Sequence, residues 1–348
     1  MWKKIKQLVW EWRGVLITVP SVTGLTIALR CFGFLELSEL TALDQFVRWR
    51  PVEPIDPRIV IVTVDDSDIK KAGQWPISDL VLAELITKIN NQQPRAIGLD
   101  FFRDLPVKPG YKKLVKVFKS TPNLIGIEKV VGNAYGDSVP APPILKELDK
   151  VAAADIPIDR DGKVRRVLLA VKPQNSKTTY GLAARLALIY LEAEGIKPRT
   201  IDANTGKLGL GKGIFTPLGK NYGGYVGVDA GGYQILFNSR SYSCDGTLKK
   251  CRIFQTISMT DVLEDRIPSD LMRDRIILIG STAESLKDRF FISYSNSYLT
   301  AAFGIEIHAH LISQILSAAM DGRPLIQVWD DSTEAIWIFL WSFVGATL

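Results

Sequence analysis

Three aspartates close two short apolar runs: Asp65 and Asp66 follow residues 59–64, and Asp100 follows residues 96–99. In an open α/β sheet, ligands bind in the crevice beyond the carboxyl ends of the strands. If the two strands are neighbours, Asp65, Asp66 and Asp100 share that crevice and could hold a ligand or a divalent cation. A plainer role is equally open, since polar residues also end strands and cap the turns that follow. The phosphoryl-transfer pattern Asp-x-Asp-x-Thr is not met, because Asp66-Ser67-Asp68 continues as Ile69-Lys70. An extracytoplasmic metal-dependent hydrolase working through Asp65, Asp66 and Asp100 is therefore the second reading of the cluster.

Other residues add contacts rather than a reaction. Gly280-Ser281-Thr282-Ala283, after the apolar run 276–279, offers N–H groups and the hydroxyls of Ser281 and Thr282 to an anion. The Lys that a phosphate loop requires is missing there. Trp75, in Gly73-Gln74-Trp75-Pro76, either walls a ligand or wedges a loop against the core. His308 and His310 are the only histidines. Two residues apart on a helix, they point about 200° from one another and cannot serve one metal ion at one face. A buried His308 held by a hydrogen bond is expected, with His310 on the opposite face beside Gln314 and Ser317. No His–Cys cluster suggests zinc, no Gly-x-Ser-x-Gly elbow suggests a nucleophile, and no cofactor is implied. Cys244 and Cys251 lie in one polar loop and are either a disulfide, stable in an oxidising compartment, or two free thiols.

The elements that must position these residues follow from periodicity. Residues 59–64 read as a buried strand. Ser78 caps a helix in which Leu82, Leu85, Ile86 and Ile89 share one face. Strands follow at 96–99 and 124–127, with a helix at 111–119 between them. Asp159-Arg160-Asp161-Gly162 is a turn leading into a strand at 164–171. A helix at 180–194, Gly-rich hairpins at 201–232, and strands at 233–238 and 276–279 come next. The last helix, 303–320, carries Leu311, Ile312, Ile315, Leu316 and Ala319 along one face and stops at Gly322 and Pro324. Strands alternating with helices predict an α/β fold with a largely parallel sheet and flanking helices, in one large domain.

Two apolar segments bracket that body. Residues 14–35 are long enough for a transmembrane helix if Arg30 snorkels to the far interface. No small-x-small cleavage site follows, and Arg30 ahead of Cys31 does not suit lipoprotein processing, so a retained anchor is expected rather than a signal peptide. Residues 335–348 are uncharged and read as the start of a second, truncated span, with Trp337 and Trp341 at interfacial depth. The alternative for them is a buried helix. Lys3, Lys4, Lys6 and Arg13 keep residues 1–13 cytoplasmic by the positive-inside rule, which leaves residues 36–330 outside. The net charge of +6 is spread without a basic stripe, which excludes nucleic acid as the expected partner.

An ordered set of motifs carries a resemblance. Leu43-Asp44 with Arg48-Trp49-Arg50-Pro51, the run from Asp56 to Asp66, Gly73-Gln74-Trp75-Pro76, and Pro94 to Asp100 come first. Asp159-Arg160-Asp161-Gly162 with Val164-Arg165-Arg166, Tyr233 to Asn238, Ile276 to Ala283 with Asp288, and Phe303 to Ala309 follow in order. Together, over residues 37–320, they resemble the type-two CHASE domain, a cyclase- and histidine-kinase-associated sensory extracellular domain. Ile77, where the family often has an aromatic, and Ser239, where it often has another, depart from the pattern. The resemblance implies an extracytoplasmic sensor in the inner membrane of a bacterium, with the bilayer as one partner. An undefined ligand or protein outside is the other, and a cytoplasmic output module is absent from this chain. A homodimer is one assembly in which such binding shifts membrane helices. Any kinase or cyclase activity would belong to the output module, so the chain itself is not expected to be an enzyme.

Overall fold

The computed structural model describes Trp10 and residues 12–131, 138–172, 177–241, 253–295 and 297–348. Its helices, in chain order, are α1 (Arg13–Cys31), α2 (Glu36–Arg48), α3 (Asp66–Ala72), α4 (Asp79–Asn91), α5 (Tyr111–Ser120), α6 (Pro143–Glu147), α7 (Leu182–Ala193), α8 (Met259–Leu263), α9 (Gly304–Leu316) and α10 (Asp331–Thr347). The strands through the first half are β1 (Ile59–Val64), β2 (Ala96–Leu99), β3 (Leu124–Glu128), β4 (Val151–Ala153), β5 (Lys163–Val164), β6 (Arg166–Val171) and β7 (Thr179–Tyr180). Then come β8 (Pro198–Asp202), β9 (Lys207–Leu210), β10 (Gly213–Phe215), β11 (Tyr233–Leu236), β12 (Gln255–Ser258), β13 (Ile276–Ser281), β14 (Arg289–Ile292) and β15 (Ala302–Phe303).

The chain divides into two units. The larger, residues 46–218 and 231–326, is built on a six-stranded sheet in the order β12-β1-β13-β2-β3-β4. Every adjacent pair in it is parallel. Alternate residues of a strand face opposite sides, and here both sides are covered. Ile59, Ile61, Ala96, Ile276 and Leu278 pack in one core with α7 and α9. Val60, Val62, Ile97, Leu99, Ile277 and Ile279 pack in the other with α4, α5 and α8. Burial on both faces is why these strands read as unbroken apolar runs instead of alternating ones.

Three expectations about elements are adjusted. The strand expected at 164–171 is broken at Arg165. That side chain is buried and bonds Asp159 at 3.1 Å and Asp161 at 2.6 Å, while Arg166 takes the other oxygen of Asp159 at 2.8 Å. The last helix is buried on every side rather than along one stripe, and it widens into a π-helical turn at Ser317–Asp321. Strand β12 lies at the sheet edge beside β1 and had no clear apolar signature; only Ile257 among its four residues is buried.

The smaller unit, residues 1–45, 219–230 and 327–348, contains α1 and α10. Trp12, before α1, stacks on Phe343 near the end of α10, with ring centroids 6.4 Å apart. Arg30, in the last turn of α1, pairs with Glu334 in the first turn of α10. The two helices therefore run antiparallel. Arg30 also donates to Glu39 at 3.0 Å and to the Gly223 carbonyl at 2.8 Å. Among the described residues, α1 is the one helix long and apolar enough to cross a membrane by length and composition. It ends at Cys31 rather than at residue 35, with Gly33 in the left-handed region just beyond. At 17 residues, about 26 Å, α10 is short of a typical hydrocarbon core. Cys31 is a free, exposed cysteine, and Cys244 and Cys251 lie outside the described residues.

Candidate functional site

The carboxyl ends of the sheet strands gather five of the six residues expected to bind, but not as one crevice. Strand β13 lies between β1 and β2, so Asp65 and Asp66 are a full strand removed from Asp100 and are not its neighbours. Asp65 caps α3, accepting from the amides of Ser67 at 2.8 Å and Asp68 at 2.9 Å. Asp68 returns a bond to the Asp65 amide and also accepts from Thr260. Burial would lift the Asp65 pKa, but these donors hold it below the usual carboxylate value. Asp66 accepts from the Glu284 amide at 2.9 Å. Ser281 Oγ donates to the Val64 carbonyl at 3.2 Å and accepts from the Ala283 amide at 3.1 Å. The Thr282 amide donates to the same Val64 carbonyl at 3.0 Å. Asp66, Ser281 and Thr282 knit the ends of β1 and β13 together. Trp75 is partly exposed and stands edge-on to Phe101, centroids 5.4 Å apart, in the loops after α3 and β2.

Asp100 is in a different environment. Its amide donates to Ile279 at 2.8 Å, but no hydrogen-bond donor reaches its carboxylate among the described residues. It points at α9 instead, where His308 Nε2 stands 3.9 Å from Asp100 Oδ1. Two glycines allow that approach. A methyl on Gly280 in β13 would lie 2.7 Å from Ile305, so the absence of one lets the first turn of α9 seat directly on the strand. A methyl on Gly304 would lie 2.6 Å from Asp288 Oδ2, so the start of α9 also admits the Asp288 carboxylate.

Asp100, Asp288 and His308 thus form one group at the junction of β2, the segment before β14, and α9. Burial disfavours charge on all three. It raises the Asp100 pKa to about 7. Burial and then the Asp100 charge raise Asp288 to about 6, partly offset by His308 and the Gly304 amide. Burial lowers His308 to about 4, against the pull of Asp288. The hydrogen bond expected to hold His308 is not found among the described residues; the other histidine has one, from the Arg240 amide to His310 Nδ1 at 3.1 Å. His310, on the face of Gln314 and Ser317 as expected, is buried between the rings of Phe237 and Phe254. A small cavity of about 10 Å³ borders His308, Leu311, Leu182 and Asp155, enough for one water. Among the described residues, no three His, Cys, Asp or Glu side chains are arranged to hold a metal ion.

Sequence reasoning reached Asp100 but not its partners. Asp288 was visible only as one residue of a motif, and His308 looked like an ordinary core histidine. What signalled them was the small-residue spacing Gly280 and Gly304, which makes sense only when α9 is laid on β13.

A parallel sheet covered on both faces, with the Asp100 carboxylate left without a donor where β2 ends, defines an α/β module with a polar site at the carboxyl edge. The particular family is settled by comparison: residues 22–347 match the CHASE2 domain, and the chain belongs to that family of extracellular sensory domains of signalling receptors. Comparison with curated proteins and with solved structures found no match.

Proposed function

We propose that this chain is the extracytoplasmic sensory part of a bacterial inner-membrane receptor. In this reading residues 1–13 face the cytoplasm, α1 passes through the bilayer, α10 begins a second span, and the larger unit lies outside. A stimulus received outside changes the relation of the two membrane helices, and an output module beyond this chain reads that change. The observation carrying the reading is the antiparallel pairing of α1 with α10. Arg30 is bound to Glu334 at one end of the pair and Trp12 stacks on Phe343 at the other. Antiparallel apolar helices are what a chain that leaves a membrane and returns to it must present. The Asp100–Asp288–His308 group is the proposed place of reception. A signal requires two conformations and a ligand that prefers one of them. Buried ionisable groups without full partners supply such a preference, because their protonation or pairing is worth more in one packing than in another.

The hydrolase reading has less support. Asp65 and Asp66 are occupied by the α3 cap and the Glu284 amide, and a strand separates them from Asp100. Two experiments test the sensor reading. A reporter active only outside the cytoplasm, inserted in the exposed turn at residues 203–206, is expected to be active, and one fused ahead of residue 1 silent. A chimera joining a cyclase after α10 is expected to change its output with an external stimulus. Activity of the N-terminal fusion, or a chimera indifferent to every external condition, overturns the reading.

A further inference from the structure

We propose that the ligand of the Asp100–Asp288–His308 group is the proton. A proton from the external medium binds the carboxylate pair, and the resulting carboxyl O–H of Asp100 donates to an unprotonated ring nitrogen of His308. The inference rests on the sensor reading and names its stimulus as external acidity.

Four observations carry it. The Asp100 carboxylate, 12% exposed, has no hydrogen-bond donor among the described residues, so only the little water that reaches it compensates its charge. His308 is nine-tenths buried, has no hydrogen bond, and faces that carboxylate across 3.9 Å. That gap exceeds the usual 2.7–3.2 Å of an N···O hydrogen bond. Across that gap neither side chain donates to the other. Once Asp100 is protonated, it becomes a donor, His308 is an acceptor, and the gap can close. Third, Gly304 admits Asp288 to the start of α9, so a second carboxylate shares the site and two adjacent charges disfavour one another. Fourth, His308 also borders a small cavity with room for about one water, on the side lined by Leu182, Leu311 and Asp155, so its ring is reached by solvent but by no bulky side chain there.

The other ionisable groups facing the site are already engaged. Arg289 in β14 donates to Glu284 and to the Ala301 carbonyl, and lies over the Phe303 ring. Glu306, on α9, accepts from the Phe303 amide at 2.9 Å. Asp66, from the end of β1, accepts from the Glu284 amide, and Asp155, across the cavity, accepts from the amides of Val130 and Val131. None of these is positioned to neutralise Asp100 in place of a proton. Closing the Asp100–His308 gap draws α9 and the end of β2 together within the larger unit.

The test is an infrared pH titration of the full chain in nanodiscs, following the carboxyl band of protonated buried acids. Between about pH 8 and pH 5.5, above the range of ordinary carboxylates, the wild type is expected to gain this band. Asp100→Asn is expected to lose at least half of the gain. If that variant does not fold, Asp288→Asn serves, with the remaining band shifted downward in pH because one charge has gone. A band that grows only below about pH 5, alike in wild type and variant, overturns the proposal. The cyclase chimera separates this failure from that of the sensor reading. If the titration succeeds and the chimera ignores every stimulus, the proton site stands and the relay falls. If the chimera answers some other stimulus while the acids titrate normally, the sensor stands and the proton falls.

Discussion

Gly304 and Asp288 touch: a methyl group on the glycine would lie 2.6 Å from Oδ2 of the aspartate. The first helical residue of α9 is thus shaped by a side chain from a different segment. Gly304→Ala must displace either the carboxylate or the helix start. Overpacking of this kind typically costs about 1–3 kcal/mol. The urea midpoint of the full chain in detergent should fall accordingly with little change in slope. An unchanged midpoint would mean that Asp288 swings clear freely and is not held at the site.

Asp65 is expected to act on stability alone. It accepts from two amides at the start of α3, and losing an N-cap costs about 0.5–2 kcal/mol. Asp65→Ala should lower the denaturation midpoint by that amount. It should leave the infrared titration of Asp100 where it was, since strand β13 stands between them. A shift of that titration would show that Asp65 belongs to the same electrostatic group.

The histidines and the buried acids oppose one another with pH. Asp100 and Asp288, raised to about 7 and about 6, bind protons more tightly in the folded chain than their ordinary value of 3.8 allows when unfolded. Folding therefore gains as pH falls through about 7 and toward 4. His308 and His310, lowered to about 4 and about 3 from 6.5, do the reverse, and folding loses as pH falls below 6.5. Stability should rise from about pH 8 to about 6.5, stay nearly level through the next two units, and drop below about 4. Thermal unfolding of the full chain across that range checks the shape. Asp100→Asn should flatten the rise above pH 6.5 and leave the acid limb in place.

Arg30 gives a charge-swap test within the smaller unit. It bonds Glu39 and Gly223 and pairs with Glu334, so Arg30→Glu sets like charges against one another. The single variant should lower the thermal midpoint of the chain in detergent, and adding Glu334→Arg should restore part of the loss. Coupling between such contacting residues runs from about 0.5 to 3 kcal/mol. Additive effects would indicate that the two side chains do not meet.

The fold was legible wherever one kind of burial extended over a whole element. Residues 59–64, 96–99 and 276–281 are buried on both faces, and an unbroken apolar run is the direct trace of that. The helix capped by Ser78 showed itself because only one of its faces is covered. Strand β12 escaped notice because it is an edge strand with one neighbour, and Thr256 and Gln255 face outward enough to stay polar. Spatial order was the deeper difficulty. Asp65, Asp66 and Asp100 all end strands, as their positions suggested, yet nothing local to them reveals that β13 comes between. Likewise, Asp288 and His308 are 20 residues apart along the chain and become a pair only through the seat that Gly280 and Gly304 provide.

The insertion of β13 between β1 and β2 also dictates when the larger unit can exist. Ile59 is registered against Ile276, and Ile276 against Ala96, so the middle of the sheet joins the first third of the chain to the last. While the polypeptide is being made, β1 and β2 have no shared neighbour until residues 276–281 emerge. Closing contacts over such sequence separations is slow. Until then, the strands wait as exposed apolar segments with unpaired edges, the form most open to proteases and to mispairing. A newly made chain stopped anywhere before residue 281 would therefore lack the platform on which the acid group is assembled. The folded sheet should arrive late and all at once in biosynthesis.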